Sequence, residues 1–149
     1  MSAISLPIKL LHDDAQIPTK KNFEDAGWDL YCLEDVEVGS EVVKVRTGVA
    51  VSIPKGYVGL IWDRSGLGSK GLKVHGGVID SGYTGEIFVC LSLPAQPERI
   101  NVYTKHMLSK GDRIAQLLIQ LVPLHVTWEE VDNLDVTDRG NLGFGSSGQ

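Results

Sequence analysis

The chain has 149 residues, of which 42% are hydrophobic and 22% are charged. This length and composition fit one folded domain and exclude a fibrous or disordered protein. The 19 acidic residues outnumber the 14 basic ones, and the formal net charge of -5 excludes a broad basic surface for a nucleic-acid backbone. A polyphosphate ligand would therefore need local cationic side chains or a metal ion.

Two cysteines, Cys32 and Cys90, lie far apart in the sequence, without a CxxC spacing or a cluster of histidines. This pattern predicts reduced thiols in or near the core rather than a disulfide scaffold or a zinc site. Met1 to Leu11 lack a charged start followed by a long apolar run, and no run of roughly 18 apolar residues occurs in the sequence. We therefore expect a soluble cytoplasmic protein that binds neither membranes nor nucleic acid.

Short segments with period-two alternation recur along the first part of the chain. Apolar side chains alternate with polar ones over residues 36–38, 43–47 and 49–53, which is the pattern of half-buried strands. Further short apolar runs are bounded by glycine or proline at residues 57–62, 86–93 and 100–103. Many short strands at close spacing predict a β-sandwich or β-barrel.

One later segment has an ambiguous pattern. Its apolar residues Ile114, Leu117, Leu118 and Leu121 follow the i, i+3, i+4, i+7 spacing of an amphipathic helix. The glycine before them and the proline after them equally suit a buried strand that starts at a turn. The pattern by itself leaves both structures open.

Glycine is abundant, with 17 residues, and it clusters in two places. Seven glycines follow Arg64 up to and including Gly85, and four more lie in the tail that begins at Arg139. Glycine allows positive φ angles and lets backbone N–H groups approach a ligand closely. The clusters therefore indicate either tight turns or loops that cradle an anion.

Two segments carry polar groups suited to a metal-bound polyphosphate. Asp29 lies beside a glycine at the start of a strand, where it could contact Mg²⁺ through water or form a solvated turn. The segment from Arg64 to Lys70 supplies a guanidinium group, the Ser65 hydroxyl and several glycines, which suit phosphate oxygens. It lacks the pattern of a Walker A loop. An N-capped short helix starting at Ser65 is the alternative, and it is compatible with phosphate binding.

The remaining polar candidates lie further along the chain. Asp80 and Tyr83 fall in a glycine-bounded hairpin, whose backbone groups could pair with the edge of a pyrimidine. Gln116 lies among apolar residues, where a buried amide needs a hydrogen-bond partner in the protein or a ligand. The tail has the composition of a disordered terminus, yet it carries Arg139, Phe144, Gly145, Ser146 and Ser147.

Five segments in this order resemble the motifs of the trimeric dUTPase family. They read AGWDL, RSGLGSKG, GVIDSGYTG, GDRIAQ and RGNLGFGSSG, and they extend from Ala26 to Gly148. The resemblance implies an all-β, distorted antiparallel jelly-roll-like sandwich or barrel with at most one short helix, in which GDRIAQ begins a strand. It also implies a homotrimer with shared active sites.

The resemblance further implies hydrolysis of dUTP to dUMP and pyrophosphate with Mg²⁺ on the triphosphate. Asp80 matches the catalytic aspartate that activates the attacking water, and Gln116 matches a residue at the α-phosphate and that water. Asp29 matches the acidic residue that holds the Mg²⁺ hydration shell. The phosphate-binding positions are matched by Arg64, Ser65 and Gly66.

Recognition of the nucleoside follows from the same resemblance. Tyr83 matches the residue whose ring lies under the deoxyribose and excludes a 2′-hydroxyl, and backbone groups of Gly77, Val78 and Ile79 would contact uracil. Residues 1–138 would form the β domain and residues 139–149 a mobile arm over the site. In that arm Phe144 would stack on uracil, and the other residues would bind phosphates, namely Arg139, Gly145, Ser146 and Ser147.

The sequence departs from the family pattern at several positions. Asp63 replaces a proline beside the phosphate-binding Arg64, and less common residues occur at Trp28, Thr84 and Leu142. We interpret His75 as structural or solvated rather than as a general base. Two other functions remain as alternatives, a dCTP deaminase of the same fold and a non-catalytic nucleotide-sensing or protein-binding module.

Overall fold

The computed structural model describes residues 4–94, 105–138 and 140. These residues form one four-residue helix, α1 (Ser65–Gly68), and ten strands. The strands are β1 (Ile8–Leu10), β2 (Trp28–Tyr31), β3 (Val36–Val38), β4 (Val43–Val51), β5 (Tyr57–Trp62), β6 (Lys73–His75), β7 (Val78–Ile79), β8 (Glu86–Ser92), β9 (His106–Leu108) and β10 (Arg113–Leu121). The expectation of an all-β fold with at most one short helix is confirmed. The apolar run at residues 100–103 lies outside the described residues.

The strands form two four-stranded sheets and one two-stranded ribbon, with antiparallel pairing throughout. One sheet has the order β1-β4-β8-β6, the other has the order β2-β10-β5-β7, and the ribbon pairs β3 with β9. Their inward faces share one apolar core that includes Leu30, Val45, Ile87 and Ile114. The second sheet carries Asp29, Gln116, Val78 and Ile79 on its strands, and Arg64 follows its strand β5.

The two alternating runs at residues 43–47 and 49–53 belong largely to one continuous strand, β4. Its first part is half-buried as predicted, but its last five residues are all buried. The pairing with β8 shifts register between Arg46 and Ala50, and Gly48 lies in this irregularity with a φ of 71°. A β-bulge therefore joins what the sequence pattern presents as two strands.

The segment with helical spacing is a strand. β10 pairs with β2 on one side and with β5 on the other, so it lies inside its sheet. Ile114, Ala115 and Leu117 are buried, and neighbouring residues thus contribute apolar groups to both faces. A strand covered on both faces does not show strict alternation, which explains the misleading pattern.

The helix α1 begins at Ser65, as the short-helix interpretation expects, but it lacks the expected side-chain cap. The capping position is Arg64, and no side chain makes a capping hydrogen bond. A guanidinium group cannot accept a hydrogen bond from the first helical N–H groups. The Arg64 side chain instead binds partners on other strands.

Residues 123–138 contain no helix or strand, and their large apolar side chains are exposed in the single chain. Trp128 is 98% exposed and Leu134 is 86% exposed. Both cysteines are free, with Cys32 buried and Cys90 half-buried, which confirms the prediction of reduced thiols. Within the described ranges, no helix has the length and apolar character that crossing a membrane requires.

Candidate active site

Three strands of the second sheet bring the first, second and fourth motifs together. Gln116 on β10 is the register partner of Asp29 on β2 and of Trp62 on β5. Arg64 follows β5 by two residues and so lies beside the same row. The antiparallel pairing therefore gathers a carboxylate, an amide and a guanidinium that are far apart in sequence.

Asp29 and Arg64 form an ion pair with little exposure to solvent. Arg64 Nε donates to Asp29 Oδ1 at 2.8 Å, and the two side chains are 22% and 14% exposed, respectively. Arg64 Nη1 also donates to the carbonyl of Arg113 at 3.3 Å. Two contacts thus orient the guanidinium of Arg64, which suits a group that must meet a phosphate in a fixed position.

The sequence motifs do not single out Arg113, but the structure places it beside Asp29 and Arg64. Its Nη1 lies 3.4 Å from Asp29 Oδ2, so the aspartate lies between two arginines. The register places Arg113 opposite Tyr31, two positions along β2 from Asp29. Its place in GDRIAQ was the available signal, but only strand pairing reveals which carboxylate it contacts.

The Gln116 side chain lies directly against Gly27. A Cβ atom on residue 27 would lie 2.5 Å from Gln116 Oε1 and 3.0 Å from its Cδ. Because real side chains do not approach so closely, the Gln116 amide can keep this place only while residue 27 is a glycine. Among the described residues, the structure gives the Gln116 amide no hydrogen-bond partner.

Of the residues next to Arg64, Asp63 binds the backbone of another strand, whereas Ser65 and Gly66 are exposed. Asp63 Oδ1 accepts the backbone N–H of Val74 at 2.6 Å, so this unusual aspartate ties β6 to the start of the helical turn. Ser65 and Gly66 are exposed. Apart from its chain neighbours and the backbone of its own helix, no atom of the described residues lies within 4 Å of a Cβ built on Gly66. Both residues can therefore approach a ligand without rearrangement.

The third motif borders a separate cleft of about 230 Å³. Asp80 is exposed at its edge, and Tyr83 donates its backbone N–H to the Asp80 carbonyl at 3.0 Å. The Tyr83 hydroxyl donates to the carbonyl of Glu86 at 2.7 Å. The lining consists of Val78, Ile79, Asp80, Tyr83, Glu86 and Phe88.

The predicted hairpin around this motif is wrong in its pairing. β7 pairs with β5, whereas β8 pairs with β4 and β6, so the turn at Asp80–Tyr83 connects the two sheets. Gly77 is held against β5, since its carbonyl accepts the N–H of Ile61 at 2.7 Å. β7 is an edge strand, and one side of Val78–Ile79 remains available to pair with a planar ligand edge.

His75 contacts the protein rather than the cleft. One of its ring nitrogens, Nε2, lies 2.7 Å from the hydroxyl of Ser92, a buried residue on the neighbouring strand. This hydrogen bond agrees with the interpretation that the histidine is structural.

The two groups of candidate residues do not meet within one chain. Gln116 is level with Trp62 on β5, whereas Ile79 is level with Gly59. Strand geometry then puts the Gln116 and Ile79 backbones about 14 Å apart, with two strand spacings between them. The tail candidates Arg139, Phe144, Gly145, Ser146 and Ser147 lie outside the described residues.

The described residues could hold Mg²⁺ only when the ion is also bound to the phosphates of a substrate. Among residues 4–94 and 105–138, no group of three or more His, Cys, Asp or Glu side chains is arranged to hold a metal ion. Asp29 offers one carboxylate, already paired with Arg64. Mg²⁺ usually keeps several waters and binds through one or two carboxylates plus substrate phosphates, so a single water-mediated contact is chemically reasonable.

A family model described as dUTPase matches residues 13–148, which include all five motifs. The chain belongs to the dUTPase family. The family assignment made from the sequence motifs is thus confirmed. The sheet that gathers Asp29, Arg64 and Gln116 is part of a fold shared with solved dUTPases.

Curated relatives and solved structures agree with this assignment. The deoxyuridine 5'-triphosphate nucleotidohydrolase of Nocardia farcinica is 48% identical over 99% of this chain and 88% of its own length. That of Mycolicibacterium gilvum is 45% identical, with 97% and 95% covered. The dUTPase of Staphylococcus bacteriophage 80alpha with dUpNHpp has a TM-score of 0.81 at 34% identity, with 99% of this chain and 100% of that one covered.

A structure with a metal ion is also similar. It is a variant dUTPase from phage phi11 of S. aureus, described with a structural Mg(II) ion, and its TM-score is 0.76 at 30% identity. The match covers 87% of this chain and 98% of the phage chain.

Proposed function

We propose that this chain is a dUTP diphosphatase that hydrolyses dUTP to dUMP and pyrophosphate with Mg²⁺ on the triphosphate. The observation that carries the proposal is the row formed by Asp29, Gln116 and Trp62 across three strands, with Arg64 hydrogen-bonded to its aspartate. A carboxylate, an amide and a fixed guanidinium suit a charged phosphate chain. Bound Mg²⁺ would neutralise charge on the triphosphate, with Asp29 holding its water shell.

In this proposal Asp80 acts as the base. Its exposed carboxylate accepts a proton from a water molecule as the water oxygen bonds to the α-phosphorus. The bond from that phosphorus to the oxygen bridging to the β-phosphate breaks, and pyrophosphate leaves with the electron pair. Gln116 would orient the water and an α-phosphate oxygen through its amide group.

The distance between the two groups of residues supports a site shared between subunits. Asp80 and Tyr83 cannot contact a phosphate bound beside Gln116 of the same chain, because the backbone of Ile79, next to Asp80, lies about 14 Å from that of Gln116. We therefore propose that the third motif of one subunit completes the phosphate site of another. The cleft at Tyr83 is also smaller than the roughly 300–1,000 Å³ typical of ligand pockets, as expected for an incomplete site.

Exposed apolar surface supports the same assembly, a homotrimer. Leu121, Leu124 and Val126 are each more than 60% exposed. The segment that follows also exposes its apolar side chains, almost fully at Trp128, Leu134 and Val136 and by half at Val131. An apolar groove of about 190 Å³ lies near Leu6 and Trp28. Soluble monomers rarely leave this much contiguous apolar surface uncovered, so we place the subunit contact around residues 114–126 and the segment that follows.

Selection of the nucleoside would take place at the cleft. Free backbone groups on the open side of β7 would pair with the imide edge of uracil, where cytosine has an inverted donor pattern. The Tyr83 ring would pack under the deoxyribose and exclude a 2′-hydroxyl. Residues 139–149 would close over the substrate, with Phe144 on the base and Arg139 on a phosphate. We place this activity in the cytoplasm.

A product assay tests the proposal. The purified protein is incubated separately with dUTP, dCTP and UTP in the presence of MgCl₂, and pyrophosphate, nucleoside monophosphate and ammonia are measured. We expect equal amounts of dUMP and pyrophosphate from dUTP, little turnover of the other two nucleotides and loss of turnover with EDTA. Ammonia release from dCTP would indicate a deaminase, and binding without any product would indicate a sensor.

A further inference from the structure

The Tyr83 ring is held from two sides by its own segment. The hydroxyl donates to the carbonyl of Glu86 at 2.7 Å. The ring lies on Gly85, since a Cβ atom on that glycine would lie 2.7 Å from the hydroxyl oxygen, 2.8 Å from Cζ and 3.2 Å from Cε2. The ring position therefore depends on where the backbone of residues 85 and 86 lies.

The backbone at Glu86 is fixed by its pairing with Ala50 on β4 and, in addition, by contacts of the Glu86 side chain. Arg46 Nε donates to Glu86 Oε1 at 3.1 Å and Arg46 Nη2 donates to Oε2 at 3.1 Å, a two-point contact. Oε1 also accepts the N–H of Gly48 at 2.9 Å. The Glu86 side chain is 12% exposed and that of Arg46 is 39% exposed, so water screens this ion pair in part.

The ion pair also joins the bulge of β4 to the start of β8. Gly48 lies in that bulge with a φ of 71°, and its N–H is freed from regular pairing with β8. The carboxylate of Glu86 raises the pKa of the Arg46 guanidinium, chiefly through their hydrogen bonds and also by charge attraction. Arg46 is thus a permanent cation whose contact anchors the first residue of β8.

We propose that Glu86, anchored by Arg46, is a positioning residue for sugar selection that holds the Tyr83 ring on Gly85. The inference rests on the proposed role of Tyr83 in excluding the 2′-hydroxyl. Selectivity is greatest when the ring lies at contact distance from the 2′ carbon. A ring moved away admits the hydroxyl, and a ring moved closer also clashes with deoxyribose, so either displacement narrows the preference for dUTP.

Two variants disturb the ring by independent routes. Gly85→Ala places a methyl group where the Tyr83 ring lies. Because Gly85 does not have a positive φ, its backbone can accept alanine. The flexible tyrosine side chain should therefore move while the fold persists. Arg46→Met removes the two-point contact and leaves the glutamate bound only to Gly48. We expect each variant to lower the ratio of kcat/KM for dUTP to that for UTP by about fivefold or more.

Matched controls separate positioning from general damage. Gly39→Ala makes the same change at a position where, among the described residues, only the chain neighbours lie within 4 Å of the new Cβ. Glu37→Gln breaks the exposed ion pair between Glu37 on the ribbon and Lys105. Both controls should keep the native ratio. Arg46→Lys, which keeps the charge and one contact, should restore part of the ratio, and the melting temperature of Gly85→Ala should stay close to that of the unaltered protein.

The outcomes are distinguishable from failure of the proposed function. If the unaltered protein prefers dUTP but Gly85→Ala and Arg46→Met both keep its ratio within about twofold, the positioning role is overturned. An equal fall of the ratio in the controls would also overturn it, because the effect would then be general. If the unaltered protein does not hydrolyse dUTP, the proposed function fails and this inference fails with it.

Discussion

The Gln116 side chain lies so close to the backbone of Gly27 that a Cβ atom on residue 27 would lie 2.5 Å from its Oε1. This contact joins the first motif to the fourth, which are paired on neighbouring strands. Glycine in AGWDL therefore leaves room for the amide that we propose orients the attacking water.

Gly27→Ala tests this relationship. The methyl group would push the Gln116 amide out of its place, because Oε1, Cβ and Cδ of the glutamine all lie within 3.0 Å of it. We expect kcat to fall by roughly 10–100-fold with a smaller change in KM, since a misplaced positioning group mainly raises the barrier of the chemical step. Steady-state kinetics with dUTP would measure it, and full activity would show that the amide is not needed in that position.

Asp80→Asn tests the proposed base. Asparagine keeps the size and polarity of the side chain but cannot take the proton from water, so turnover should fall by roughly 100-fold or more while dUTP binding is largely kept. Single-turnover kinetics and calorimetric binding of a non-hydrolysable analogue would measure the two effects. Asp13→Asn, at another exposed aspartate, is the control. Unchanged turnover, or an equal loss of binding, would contradict the role of Asp80.

The fold could be predicted from the sequence where local patterns and turn residues agree. Residues 57–62 and the run that begins at Glu86 are apolar and bounded by breakers, and they form β5 and β8. The pattern of β10 was ambiguous, because a strand buried on both faces has no alternation. Its resemblance to a family motif was needed to identify it as a strand.

The contacts between distant strands could not be predicted in this way. At the bulge in β4, the N–H of Gly48 donates to the carboxylate of Glu86, which lies 38 residues further along the chain. The pairing of Arg113 with Asp29 likewise depends on the register of β10 with β2. Residue types identified the phosphate-binding candidates, but local patterns contain no information on which strands become neighbours.

The thiols should differ in reactivity. Burial raises the pKa of the Cys32 thiol, so at neutral pH it should remain protonated and a poor nucleophile, whereas Cys90 is half-buried. We expect Ellman's reagent to label Cys90 first and Cys32 only at the rate of unfolding. Cys90→Ser should leave only the slow phase. A fast phase that persists in this variant would contradict the burial of Cys32.

The assembly should be a homotrimer of about three times 16.2 kDa. Light scattering coupled to size exclusion would measure its mass. Because Leu134 is 86% exposed and Trp128 is 98% exposed in the single chain, replacing both by serine should weaken the trimer without unfolding the β domain. The same change at Phe23, which is 91% exposed on another loop, serves as a control. A fully active monomer would contradict the shared site.

The tail composition supports two opposite expectations, a disordered end and a catalytic arm. Its glycines allow motion, while Arg139 and Phe144 offer one phosphate contact and one stacking contact, each worth roughly 1–3 kcal/mol. Closure would also exclude bulk water and fix the triphosphate for in-line attack. Removing residues 139–149 should therefore leave the melting temperature and the trimer unchanged but nearly abolish hydrolysis.

Single substitutions separate stacking from the rest of the tail. Phe144→Ala should lose less activity than the truncation, because the phosphate contacts remain. Phe144→Trp should stay partly active, and its tryptophan fluorescence should be quenched when a non-hydrolysable dUTP analogue binds. The quenching is measured relative to that of the parent protein, which has three tryptophans of its own. Adding the analogue to Phe144→Ala gives the background change from those tryptophans. Full activity of the truncated protein would show that the tail is a disordered end with no part in hydrolysis.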